Sequence, residues 1–132
     1  MNEINLILPV STCRANLQYI QDTLDLKCAQ EPSALMDRMN ELASLLATSA
    51  QTQASIKFHL TDALGFAMID AFNQKYSPNM AKVYAEGRCS ELISDYELSS
   101  RQNACITHSL DSLRSILSFT KSELYHSNIQ QG

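Results

Sequence analysis

The chain contains no tryptophan and only three prolines and three glycines in 132 residues. Too few turn formers are present for an all-β fold, and the scarcity of aromatics also argues against sheets. No basic excess exists: ten Lys and Arg face fourteen Asp and Glu, for a formal charge of −4. That balance does not favour nucleic acid as a general partner. No apolar run approaches the roughly 18 residues that a membrane-spanning helix needs, and the N-terminus, Met1-Asn2-Glu3-Ile4, carries no basic segment of a signal peptide. The four cysteines, Cys13, Cys28, Cys89 and Cys105, form no C-x-x-C pair. They read as reduced thiols, and the location they imply is cytoplasmic. With hydrophobic residues at 45% and charged residues at 18%, the chain is too apolar for disorder.

The apolar residues that are present follow helical spacing. Cys13, Leu17, Ile20, Leu24 and Cys28 recur every three or four residues and mark a first helix, with Ser11 or Thr12 placed to cap it. Pro32 suits the first position of a second helix. There Leu35, Met39, Leu42, Leu46, Ser49, Gln53, Ile56, Leu60, Ala63 and Ala67 alternate spacings of four and three, the heptad pattern of a coiled-coil seam. Near its end the apolar face widens to take in Leu64, Phe66, Met68, Ile69 and Phe72, which implies a second neighbour: the first helix or another subunit. Tyr76-Ser77-Pro78 is a turn, with a capping hydroxyl and then proline. The third helix repeats the alternation from Ala85 through Cys89, Leu92, Tyr96, Ser99, Asn103, Ile106, Leu110, Leu113, Leu117 and Thr120 to Leu124.

The fold expected is therefore all-α: a long antiparallel, coiled-coil-like hairpin with one shorter N-terminal helix packed on it. Residues 1–10 form an extended arm, 11–125 a single helical domain and 126–132 a flexible tail. A turn near residue 77 pairs positions whose numbers sum to about 153. That rule sets Ser49 and Gln53, the polar interruptions of one seam, beside Ser99 and Asn103, those of the other. It also sets Gly65 near Gly87, where two backbones would approach closely. A break in the Ser-, Thr- and Gln-rich stretch 48–53 is the main alternative to a continuous second helix.

Motifs that would carry chemistry are weak. Cys105 and His108 form C-x-x-H, half of a zinc ligand set, and Ser118 with Lys121 matches S-x-x-K without its companion motifs. Neither argues for an enzyme, and no cofactor is implied. His108, Asp111, Arg114 and Lys121 lie along one side of the third helix, as a recognition stripe or as an ion-paired surface. Lys75, Lys82 and Arg88 surround the turn with Tyr76 and Tyr84, as a basic tip or as a solvated turn. Phe66, Ile69 and Phe72 form an apolar face beyond the seam.

The stretch from Thr107 to Glu123 (His108, Asp111, Leu113, Arg114, Ser118 and Lys121 above all) resembles the C-terminal helix of small helical proteins encoded by bacteriophages and prophages. In size and helix pattern the chain also resembles phage recombination-mediator proteins, which assemble into rings that load a recombinase on single-stranded DNA. The function expected from the residues is non-enzymatic assembly, by self-association or with a protein partner. The phage resemblance implies the alternative, an accessory protein that binds single-stranded DNA as an oligomer.

Overall fold

The computed structural model describes residues 6–131, with side chains as far as residue 127. These form four packed helices: α1 (Val10–Asp25), α2 (Pro32–Asn73), α3 (Pro78–Arg88) and α4 (Ser90–Gln131). Of the expected extended arm, residues 1–5 lie outside the described residues, Leu6 to Pro9 are in neither helix nor strand, and Val10 already belongs to α1.

The first helix begins one residue before its predicted cap. Pro9 is the N-cap, its carbonyl accepts from the Cys13 N–H at 2.9 Å, and neither Ser11 nor Thr12 caps. At the other end Cys28 falls outside α1, which ends at Asp25. Arg38 of α2 satisfies that end, with guanidinium N–H groups donating to the carbonyls of Thr23 and Leu24 at 2.9 and 3.4 Å. The second helix does start with Pro32 at its first position, and it runs unbroken through 48–53.

At its C-terminus α2 closes with two hydrogen bonds of the Schellman type, Tyr76 N–H to Ala71 O and Lys75 N–H to Phe72 O, at 3.1 and 3.0 Å. The motif puts Lys75 at φ 62°, the only non-glycine with positive φ among the described residues. A side chain there costs about 1 kcal/mol that glycine avoids. Lys75→Gly is expected to raise stability by about 0.5–1 kcal/mol in urea unfolding. An unchanged or lower midpoint would show that the turn tolerates lysine without strain. Ser77 then caps α3 through Oγ, which accepts from Met80 N–H at 3.3 Å, and Pro78 is the first helical residue.

The single third helix read from the heptads is two helices. Cys89, at φ −105° and ψ 15°, separates α3 from α4. Gly87 and Ser90 flank it, both poor helix formers. The Cys89 N–H still reaches Ala85 O, and Ile93 N–H still reaches Cys89 O. The side-chain rhythm therefore passes through the break, and periodicity cannot detect it. Residues 126–131, read as tail, continue α4.

The core has two sections. In the first, α1 packs on both α2 and α4. Ile20, Leu42, Leu45, Ile106 and Leu110 form one buried cluster, and Cys13, Leu17 and Ile56 a second. Between them runs a polar layer: Gln53 Nε2 donates to Ser100 Oγ at 3.0 Å, Asn103 Nδ2 to Ser49 Oγ at 3.4 Å, and Asn16 Nδ2 to Thr52 Oγ1 at 3.1 Å. Leu45, Thr52 and Ser55, off the predicted seam, are buried too. The first helix therefore covers the middle of α2 and leaves the widened stretch 64–72 to other neighbours. In the second section α3 replaces α1 against α2, around Ala67, Ala85 and Cys89.

Gly65 and Gly87 do not bring two backbones together. A Cβ on either would meet nothing within 4 Å, and both are exposed. Both glycines are within helices at negative φ, where alanine is preferred by up to about 1 kcal/mol. Gly65→Ala and Gly87→Ala should each stabilise the chain by about 0.5–1 kcal/mol in thermal unfolding. A loss of stability at either site would point to a close contact.

Candidate interaction surface

The end where α2 meets α3 has a core of small side chains. Ala67, Ala71, Ala81 and Ala85 are its buried residues, with Cys89 at the inner edge and Leu64 and Met68 partly buried alongside. Most of the large apolar residues of the same segments point outward. Phe66 is 68% exposed, Ile69 58%, Phe72 57%, Met80 58% and Val83 70%. Phe58, about two turns before Phe66 on α2, is half exposed as well. Scattered exposed apolar residues are ordinary on any protein surface. Here, in α3 and the last turns of α2, the fully buried residues are alanines while most of the bulky ones are exposed, which reverses the usual arrangement.

Met80 and Val83 line an open groove of about 370 Å³ with Tyr76, Asn79 and Tyr84. The rings of Tyr76 and Tyr84 meet edge to face, with centroids 5.4 Å apart. Tyr84 is fixed from below. Its hydroxyl donates to Asp70 and accepts from Arg88 Nη1 at 2.9 Å, while the guanidinium lies over its ring, 5.7 Å from the centroid. Arg88 Nη1 also reaches Asp70 Oδ2 at 2.8 Å, and Gln74 Nε2 reaches it at 3.3 Å.

The Tyr84 hydrogen bond, helped by Gln74 and the Arg88 charge, holds the Asp70 carboxyl below the usual carboxylate range. A depressed folded-state pKa contributes stability above the unfolded value of about 3.9 and loses it as pH falls through the folded one. The link between α2 and α3 should therefore loosen below about pH 4, seen as a change in tyrosine fluorescence. Asp70→Asn should remove that acid step, and its persistence in the variant would assign it to another carboxyl.

Of the residues expected to form a basic tip, Lys75 and Lys82 are exposed, while Arg88 is bound to Asp70 and Tyr84. His108, Asp111, Arg114 and Lys121 are all exposed on α4, and Arg114 pairs with Asp111 at 3.3 Å. Cys105 and His108 are exposed, as are Ser118 and Lys121. Among the described residues no group of three or more His, Cys, Asp or Glu side chains is arranged to hold a metal ion. No helix among them is long and apolar enough to cross a membrane. The cysteines are unbridged. Burial pushes the Cys13 thiol up, and the charge of Asp95 adds to this.

One polar arrangement is absent from the expectations. The backbone of Leu8 is held at both of its polar groups by α2. Its N–H donates to Ser55 Oγ at 3.0 Å, and its carbonyl lies 2.7 Å from His59 Nε2. The side chain of Leu8 packs on the Cys13, Leu17 and Ile56 cluster. The pairing joins residues 47 and 51 positions apart, and no local pattern encodes it. Comparison of the chain with family models, with curated proteins and with solved structures finds no match.

Proposed function

We propose that the chain is a non-enzymatic assembly protein that associates through the apolar faces of its α2–α3 end. The observation that carries this reading is the reversal described above, with alanines inside and Phe66, Ile69, Phe72, Met80 and Val83 outside. A row of large apolar side chains exposed to water is unfavourable by about 25 cal/mol for each Å² that a partner would cover. The frame that presents it is read as an antiparallel, coiled-coil-like pairing of α2 with α3 and α4. The polar layer supports that frame, since Ser49 meets Asn103 and Gln53 meets Ser100. The unbridged cysteines fit a reducing, cytoplasmic setting.

The experiment is light scattering coupled to size exclusion, from about 5 to 200 μM, bracketing the micromolar affinities expected of modest interfaces. It is run at low and moderate salt, with and without a short single-stranded oligonucleotide. A defined oligomer that ignores the oligonucleotide is the expected result. A monomer throughout overturns self-association. A complex that forms only with the oligonucleotide and dissolves with salt moves the function to nucleic acid.

A further inference from the structure

The exposed apolar residues do not form one patch. On α2, Ala67 and Ala71 are buried, and Ile69 lies midway between them. Two residues along a helix is about 200° of rotation, so Ile69 points away from α3. The same holds on α3. Ala81 and Ala85 are buried, Val83 lies midway, and it points away from α2. The α2–α3 end is therefore a two-helix layer with an apolar surface on each outer side. The side on α2 carries protruding side chains (Phe58, Ile69 and Phe72, with Phe66 at its margin). The side on α3 carries the groove between Tyr76, Asn79, Met80, Val83 and Tyr84.

We infer that the two sides are the two halves of one head-to-tail contact. The aromatic face of α2 in one copy of this chain seats in the α3 groove of the next copy. This rests on the self-association proposed above and specifies its geometry. Three features select a second copy as the occupant. One contact type, repeated, covers both faces, whereas a single foreign partner covers one. The faces are unlike in shape, with protruding side chains on one and an open groove of about 370 Å³ on the other. The area is also sufficient. At roughly 150–250 Å² for a whole aromatic side chain, the half-exposed residues on α2 offer on the order of 400 Å². With the α3 side and a polar rim the contact reaches roughly 1,000 Å², the lower bound for a specific interface. A contact between unlike faces leaves one of each free, so association closes on itself as a ring or extends.

The test uses the full chain with Ile69→Asp, which disables the α2 face, and Val83→Asp, which disables the α3 face. Both residues are exposed, and circular dichroism serves to check that each variant keeps its helices. If either loses them, Ile69→Ser and Val83→Ser replace the pair. Each variant alone is expected to elute as a monomer of 14.7 kDa. An equimolar mixture is expected to form a 1:1 complex of twice that mass and nothing larger, because each variant retains one working face. If wild type associates and Ile69→Asp is monomeric while Val83→Asp is unaffected, the contact is a two-fold α2-on-α2 pairing, and this inference falls while the assembly function stands. A mixture that stays monomeric overturns the inference in the same way. A monomeric wild type overturns both.

Discussion

Gln102→Glu should lower stability by about 3–5 kcal/mol near neutral pH, the range for an uncompensated buried charge. Gln102 sits on α4, only 2% exposed. Its Nε2 donates to the Leu17 carbonyl at 2.9 Å and to Gln21 Oε1 at 3.3 Å, which ties α1 to α4. Its own Oε1 is buried without a protein hydrogen-bond partner. A carboxylate of the same shape removes the donor and sets a negative charge against two acceptors. Burial raises the pKa of the introduced carboxyl. A raised folded-state value means the penalty is absent below the unfolded pKa of about 4.3 and grows as pH rises through the folded one. The difference from wild type in urea should therefore be small near pH 4 and full near pH 7. A difference that does not change with pH, or stays under about 1 kcal/mol, would place residue 102 in contact with water.

Ile106→Ala should cost about 3 kcal/mol, within the 2–5 typical of large-to-small core substitutions. Ile106 is fully buried among Ile20, Leu42, Leu45 and Leu110, where three helices converge. The surrounding side chains come from rigid mid-helix positions, so the cavity left behind collapses poorly. Val83→Ala, by contrast, removes an exposed side chain and should change monomer stability by less than about 0.5 kcal/mol. Urea midpoints on monomeric samples decide between these values. Equal effects at the two positions would mean that α3 is covered in the monomer.

The helices were legible because burial imposes a rhythm. Leu42, Ile56, Ile106 and Leu110 fall on the predicted seams and are core residues. The polar layer was legible for a related reason, since Ser49, Gln53 and Asn103 interrupt seams that are otherwise apolar, and buried polar groups require partners. The break at Cys89 was hidden because one residue's dihedral change leaves the side-chain spacing intact. The seat of α1 was hidden because it is built partly from polar side chains off the seam: Asn16 on Thr52, Ser55 and His59 on Leu8, and Gln102 on Leu17. The aromatic face of α2 was visible as excess apolar width. Its direction was not, because heptad spacing does not say which of two apolar stripes meets α3. The pattern of Lys75, Lys82 and Arg88 was likewise readable as charge, but the withdrawal of Arg88 by Asp70 depends on a contact 18 residues away.

The alanines between α2 and α3 also set how the free energy of the fold is distributed. A buried alanine contributes only a fraction of the 1.5–3 kcal/mol or so that a buried leucine or isoleucine supplies. The α1-covered section therefore holds most of the cooperative stability, and α3 is held by this small-residue core with the partly buried Leu64 and Met68, its cap, its turn and the Asp70 network. Partial opening of α3 should precede global unfolding by a wide margin. The least anchored helix is thus the one that offers the groove, so association would have to supply order as well as contact. Part of the contact energy would then be spent in holding α3 still, and affinity and local rigidity would rise together.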